Sequence, residues 1–360
     1  VSATSHPTAW TTVRAYVELT KPRIIELLLI TTVPAMAVAA DGWPGLDLVL
    51  LALVGGALSA GGANVINQVY DDDIDQVMAR TAGRPLPTGR LGRPAALAFG
   101  VVLGIAGFVV LAVGTTLLAG LLAGAAYLFY VLVYTMALKR TTTQNIVLGG
   151  AAGAVPALIG WAAVTGSLSI AAWLMFSVIF FWTPPHFWAL SLKYEDDYRA
   201  AGVPMLPVIA GDRPTFDLIV WYSMVTVGMS LLLIPVAGLG WVYAVVAVAV
   251  SIGLIGYAVP LRTDRSRSMR YFGYTNLYLA AVFLAMLVDR VLLDGAIGGA
   301  SAWRIAGSTL ALVGIAMVVT VERGHGMRAP GVSGLRHGVE VGVTVLFTVG
   351  MVIAAWAATV

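Results

Sequence analysis

Stretches of about 20 predominantly apolar residues, each long enough to cross the core of a bilayer, recur along the whole chain. Eleven can be marked off, at 24–40, 46–66, 95–113, 117–135, 146–164, 170–190, 216–236, 241–259, 272–292, 303–321 and 338–358. Nothing else in the sequence constrains the fold as strongly. In hydrocarbon every backbone N–H and C=O needs a protein partner, and runs of this length supply their own only as helices. The expected fold is therefore all-α, a polytopic membrane helix bundle with nine core spans and two extra C-terminal apolar spans. Composition agrees, because 59% of the 360 residues are hydrophobic and only 11% charged, too few for the surface of a water-soluble domain. Residues 1–23 are polar and read as a cytoplasmic N-terminal segment without a cleavable signal, 24–292 as the core domain, and 293–360 as a C-terminal extension. The sequence has no cysteine, which excludes disulfides, thiolate catalysis and Cys-ligated metals.

The connections alternate. Those at 42–45, 114–116, 165–168 and 238–240 are short and almost uncharged, whereas the others are longer and basic. Of the 21 Lys and Arg, 19 fall in the N-terminal segment and the basic loops, and only Arg290 and Arg304 lie on the other side. The positive-inside rule places the N-terminus and the basic loops in the cytoplasm, with the protein in the cytoplasmic membrane. Arg262, Arg265, Arg267 and Arg270 need no role beyond that topology.

Carboxylates concentrate in two of these loops. The first reads NVINQVYDDDIDQVMARTAGRPLPTGR and puts Asn67, Asp71 and Asp75 at steps of four. On a helix continuing the second span, those three side chains share one face, since each step turns the direction by only about 40°. Asp72 and Asp73 point elsewhere. The second loop, four spans later, reads LKYEDDYRAAGVPMLPV and carries Glu195, Asp196 and Asp197. One reading is a pair of solvated helix ends. Acids at the C-terminal ends of membrane helices oppose the helix dipole, however, so something positive should compensate them. Oxygen-only ligands without Cys or His favour magnesium, which takes one or two carboxylates and completes its shell with water and phosphate. Two such clusters on one face suggest two ions on a diphosphate, between two four-helix halves around a central cavity. Arg80, Arg84, Arg90, Lys193, Arg199, Lys139, Arg140, Lys21 and Arg23 stand near them and would stabilise the charge on a departing diphosphate.

The N-x-x-x-D-x-x-x-D run with a second acidic loop four spans on resembles the UbiA superfamily of intramembrane prenyltransferases. Within it the closest likeness is to the protoheme IX farnesyltransferase (haem O synthase) family. Four stretches carry that likeness: LTKPRIIELLLITTVPAM from Leu19, DIDQVMARTAGRPLPTG from Asp73, YTMALKRTTTQNIVLGGAAGAVPALIGW from Tyr134 and TPPHFWALSLKYEDDYRAAGVPMLPV from Thr183. Together they cover about 15–292. The resemblance implies a helical bundle around a lipid-accessible cavity. It matches Asn67, Asp71 and Asp75 to the first magnesium–diphosphate motif and Asp197 best to the second, with Asp196 and Glu195 beside it. Arg23, Arg80, Arg84, Lys139 and Arg140 match basic positions that face the diphosphate. The chain departs from the family at 293–360, since the family usually stops after the ninth span; accessory helices are the default reading of that extension.

The implied reaction moves the farnesyl group of farnesyl diphosphate to a vinyl group of haem B, giving haem O. Ionisation leaves an allylic cation, to which Tyr130, Tyr134, Trp161, Phe181 and Trp182 would offer π faces. His186, in TPPHFW, either ligates the haem iron or makes a polar helix contact near Pro184 and Pro185. The implied partners are farnesyl diphosphate, haem B and the lipid bilayer, with hand-over of product to haem A synthase or an oxidase assembly protein, and no nucleic acid. The nearest alternative is a UbiA-type enzyme acting on a quinone precursor or chlorophyllide, with the same metal site. A transporter would place its ionisable groups near the bilayer midplane, whereas here they gather at one membrane face.

Overall fold

In the computed structural model, residues 9–291 are described, except for the side chains of 23–29. The tenth and eleventh expected spans and the extension at 293–360 lie outside the described residues. Every regular element among the described residues is helical. The segment expected to be merely polar forms a helix, α1 (Ala9–Thr20), whose Ala15 and Leu19 are buried beside Val65 and Ala96. At 12 residues it is too short to cross a bilayer, which is why a search for spans passes over it. The chain then turns at Lys21 into α2 (Pro22–Ala40), where a proline at the first helical position forfeits no hydrogen bond.

Next come α3 (Leu46–Tyr70), a short α4 (Asp72–Val77), α5 (Arg93–Gly114) and α6 (Leu117–Leu128), which passes without a break into a π-helix over Phe129–Leu138. The second half contains α7 (Asn145–Thr165), α8 (Ile170–Lys193), the short α9 (Glu195–Ala200) and α10 (Leu206–Ala210), α11 (Asp212–Val236), α12 (Trp241–Ala258) and α13 (Ser268–Val291). Eight of these helices are long and apolar enough to cross a membrane, and α2 occupies the place of the first expected span with an apolar stretch at Ile30–Ala40.

Helices adjacent in sequence are adjacent in space, from α3 on α5 through α11 on α12 and α12 on α13, and α13 returns to α2 to close a ring. The two halves pack by different means. In the first, backbones approach closely: a Cβ on Gly62 of α3 would stand 2.6 Å from the carbonyl oxygen of Gly100 in α5. In the second, large side chains fill the core, with Trp188, Tyr243, Tyr271, Tyr278 and Phe283 fully buried. The buried tyrosine hydroxyls find partners, as a membrane interior requires, while Trp188 Nε1 has none among the described residues. The Tyr243 hydroxyl donates to Ser230 O at 2.8 Å and the Tyr278 hydroxyl to Ser230 Oγ at 2.7 Å.

The alternation of connections holds in three dimensions. The basic loops meet at one end, where Arg140 reaches Asp73, Arg80 reaches Tyr198 and Arg265 reaches Glu195. At the other end Asp289 accepts from the backbone N–H of Gly240 at 2.5 Å, capping α12, and Arg290 bonds Asp41 at 2.5 Å.

Candidate active site

At the basic end a cavity of about 470 Å³ runs into the bundle, walled by α2, α3, α6 with its π segment, α7, α8 and α13. The last turn of α3 carries its first polar group. Asn64 Nδ2 and Gln68 Nε2 donate to the carbonyls of Thr20 and Leu19 at 3.2 and 2.6 Å and hold the end of α1. The helix does not continue to Asp75 as the spacing suggests, because Asp71 leaves the helical conformation (φ −90°, ψ 9°) and caps α3. The three polar residues nevertheless stay together. The hydrogen bonds Asp71 N to Asn67 O (2.9 Å) and Asp75 N to Asp71 O (2.8 Å) carry the four-residue register across the break.

The positive charge that the acids demand is supplied by the chain itself. Asp71 has no exposed surface. It accepts from Lys139, from Asn67 Nδ2 at 2.7 Å and from Arg140 Nη2 at 3.3 Å. Asp75 is 2% exposed and accepts from Arg84 Nη1 at 2.6 Å. Lys21 donates to Asn67 Oδ1 at 3.1 Å. Loss of solvent around its ammonium, with Arg84 and Lys139 nearby, brings the Lys21 pKa down to about 7 against the pull of Asp75 and Asp71. Asp73 faces away, as expected, on an exposed surface where Arg140 grips it with two bonds of 2.7 Å and holds its carboxyl at about 2. Asp72 is buried with Oδ1 unpartnered among the described residues.

The π segment sets the opposite wall. In a π-helix hydrogen bonds join residues five apart, and such segments favour functional sites. Tyr130 and Thr135 form one such pair, and Tyr134 and Lys139 another. Thr135 Oγ1 accepts from Asn67 Nδ2 at 3.2 Å and donates to Tyr130 O at 2.9 Å, while Lys139 N bonds Tyr134 O at 2.9 Å. Tyr130 and Tyr134 line the cavity with ring centroids 5.1 Å apart. Gly149 of α7 lies flat under the Tyr134 ring, where no Cβ fits. Trp182 also lines the cavity, whereas Phe181 and Trp161 belong to the helix-packing core. No sequence signal marked the π register, and Thr135 and Asn145 were missed with it. Asn145, 1% exposed at the cavity wall, donates to Lys139 O at 3.2 Å and leaves Oδ1 unpartnered among the described residues.

The second acidic loop behaves differently. Glu195 is taken up by Arg199 and by Arg265 at 2.6 Å; burial works to raise its pKa, but those two cations hold it below the usual range. Asp196 is 99% exposed beside Arg199. Asp197 is half-buried and its carboxylate makes no bond or ion pair among the described residues. None of the three lines the cavity. Tyr198 does, and its hydroxyl accepts from Arg80 Nη2 at 3.1 Å. Lys193 is exposed just outside, with Nζ 5.3 Å from the Tyr194 ring. The side chain of Arg23 lies outside the described residues. Arg265 does more than set topology, because it joins Glu195, Asp212 (2.7 Å) and Leu192 O (2.6 Å), tying α9 to the starts of α11 and α13.

His186 makes the polar helix contact, to Thr275 of α13. It lines the cavity, stacked between Trp182 and Phe272 at 4.3 Å from each, and its Nδ1 lies 2.7 Å from Thr275 Oγ1. Thr275 gives its one proton to Phe272 O at 2.7 Å. Nδ1 is therefore the donor in that pair, and in the neutral ring Nε2 keeps a lone pair.

Among the described residues no three acidic or histidine side chains converge to hold a metal unaided. The hard oxygens of Asn67, Asp71 and Asp75 still suit magnesium, whose remaining positions go to water and substrate phosphate. The cations now on those carboxylates show that positive charge is at home there.

The sequence profile of the UbiA prenyltransferase family matches residues 28–285. The chain is 53% identical over 280 residues to the protein named Protoheme IX farnesyltransferase 1 of Saccharopolyspora erythraea, an alignment covering 76% of this chain and 89% of that one. Its fold resembles that of digeranylgeranylglyceryl phosphate synthase (TM-score 0.66, 19% identity, 78% of this chain and 99% of the other). It also resembles that of a UbiA homologue from Archaeoglobus fulgidus bound to GPP and Mg2+ (TM-score 0.54, 16% identity, 76% and 99%).

Proposed function

The chain belongs to the UbiA prenyltransferase family, and we propose that it transfers a farnesyl group from farnesyl diphosphate to a vinyl group of haem B, giving haem O. The observation that carries this reading is a single cavity joining the Asn67–Asp75 polar end to an apolar, aromatic interior, in a chain 53% identical to a protein named for that activity.

Asn67, Asp71 and Asp75 would hold one magnesium ion with the diphosphate, and Asp197, with Asp196 beside it, would serve a second. Bound magnesium supplies positive charge to the leaving diphosphate. Lys139, Arg84, Arg140 and Arg23 add hydrogen bonds and charge that strengthen as the C–O bond breaks. Tyr130, Tyr134 and Trp182 present π faces to the allylic cation, and the apolar walls exclude water from it. The haem vinyl group attacks farnesyl C1; water then adds to the resulting cation and loses a proton, giving a hydroxyethylfarnesyl substituent. Arg80 and Lys193 bind substrate at the rim. His186 contacts the porphyrin and ligates iron through Nε2, with Nδ1 held by Thr275.

Residues 24–292 form the prenyltransferase domain. The active-site loops face the cytoplasm, and the hydrophobic product passes to haem A synthase or an oxidase assembly protein. A cysteine at Gly89, unique in this sequence, should stay unreactive toward an impermeant reagent added outside intact cells; labelling there inverts the topology. The purified chain should convert haem B and farnesyl diphosphate to a more hydrophobic haem, with diphosphate release and a strict need for a divalent ion. Prenylation of 4-hydroxybenzoate or a naphthoate with haem B left unchanged would replace this reading by the quinone one.

A further inference from the structure

The cations around the cavity mouth fall into two groups. Lys139, Arg140 and Arg84 are spoken for by Asp71, Asp73 and Asp75, and Lys21 is held on Asn67. Arg80 and Lys193 have no carboxylate partner among the described residues. Both sit instead on a ledge of tyrosines. The Arg80 guanidinium lies 5.4 Å from the Tyr198 ring centroid and 5.8 Å from that of Tyr194, over which Lys193 also stands. Aromatic faces hold a cation in place without neutralising it. The ledge thus presents two positioned, unspent positive charges at the water-facing end of the cavity.

The wall below that ledge is a different surface from the one below the Asn67–Asp75 site. Under Asn67 the lining is small, with Gly56, Ala60, Ala63 and Ala126, a channel for a flexible chain. Under the ledge, α8 brings His186 and Leu190 to the cavity, and further steps of four lead to Tyr194. At 1.5 Å per residue, His186 and Tyr194 are about 12 Å apart along the helix. Trp182, His186 and Phe272 make the inner part of this wall a stack of parallel rings. A flat apolar macrocycle laid on such a wall would reach the ledge with one edge.

We propose that Arg80 and Lys193, held on Tyr198 and Tyr194, form the site for the propionate carboxylates of the acceptor, separate from the cations that serve the diphosphate. The proposal rests on the haem reading and deepens it. Arginine suits a carboxylate through its fork, and lysine adds a point charge. Fixing one edge of the macrocycle also fixes how it is turned, and so which vinyl group meets farnesyl C1.

The test compares haem B with its dimethyl ester, which keeps the ring, iron and vinyl groups but masks both carboxylates. With the parent chain the ester should show a KM raised about tenfold, the loss expected for charge-assisted hydrogen bonds at an exposed site. The double variant Arg80→Gln, Lys193→Gln should raise the KM for haem B by a similar factor of about ten. It should leave the KM for the ester and for farnesyl diphosphate within about twofold, and Arg80→Lys should recover part of the loss. An unchanged farnesyl diphosphate KM also shows that the variant is folded. The proposal is overturned if the double variant raises the KM for farnesyl diphosphate instead, which gives the two cations to the leaving group. It is equally overturned if the parent uses the ester as well as haem B. Failure of the parent chain to use haem B at all would sink the haem reading itself, a distinct result that removes this site with it.

Discussion

The loop after α3 and the loop after α8 carry their acids in opposite surroundings. Asp71 and Asp75 are 0 and 2% exposed and locked to Lys139, Arg140 and Arg84, whereas Asp196 is 99% exposed and Asp197 has no partner among the described residues. A buried carboxylate is tolerable only when paired, and losing one member of such a pair leaves the other charge stranded. The first loop is therefore organised before any ligand arrives, with its oxygens held in place by its own Arg84 and by Lys21, Lys139 and Arg140 from elsewhere in the chain. The second is a surface loop in which Arg199 and Arg265 occupy Glu195 and Asp196, leaving Asp197 available. Under the proposed function the two loops take unequal parts: a fixed first motif, and a second that would contribute one carboxylate when ligand is present.

Substitutions at five positions can break or sharpen that contrast. Asp71→Asn should have the largest effect, lowering turnover about 10³-fold, the upper range for removing a charge that stabilises a transition state. It should also lower the melting temperature, since Lys139 and Arg140 lose their buried partner. Full activity at limiting magnesium would remove the first motif from the site. Asp197→Asn should cost about 10²-fold with little change in stability, while Asp196→Asn stays within about twofold. Equal behaviour of the two would mean that the second loop has no privileged carboxylate. Arg265→Gln should raise the magnesium concentration for half-maximal turnover about tenfold, as loss of a positioning contact does, with Arg265→Lys milder. Its effect should vanish in an Asp197→Asn background; additive losses would show that Arg265 acts on stability alone.

Asp73→Asn should be the mildest, within about twofold in turnover, because that side chain is on the exposed side and screened by solvent. Its folded-state pKa of about 2 is below the ordinary 3.8. The stabilisation it gives is therefore complete above the ordinary value and is lost as pH falls through about 2. The gap in melting temperature between parent and variant, small at pH 7, should close across that interval. A gap that persists at the acid end would mean that the Arg140 contact is not what depresses the carboxyl.

Much of this was legible in residues alone. The helical bundle followed from span length, and the segregation of charge at one end followed from the spacing of Lys and Arg. Asn67, Asp71 and Asp75 were found by their steps of four, even though the helix breaks between them. What the steps could not show is that Asp71 caps α3, or that the compensating charge comes from Lys139 and Arg84 as well as from any ion. Which of Glu195, Asp196 and Asp197 is left without a partner was hidden for a similar reason. Neighbours in sequence on a short helix point in different directions, and only the fold decides which of them Arg265 takes. Arg265 itself looked like topology because its three acceptors are scattered along the chain.

The π-helix at Phe129–Leu138 makes the active site sensitive to a kind of genetic change that point substitutions never probe. Its wider turn means that the phase of everything downstream depends on residue number as well as residue identity. A one-residue deletion at Val131, Leu132 or Val133 would turn the segment's exit by a single helical step. Lys139 would then swing off Asp71 while every amino acid that touches the substrate remained encoded. In-frame single-codon deletions, harmless in many exposed loops, should here be as damaging as the loss of the lysine itself.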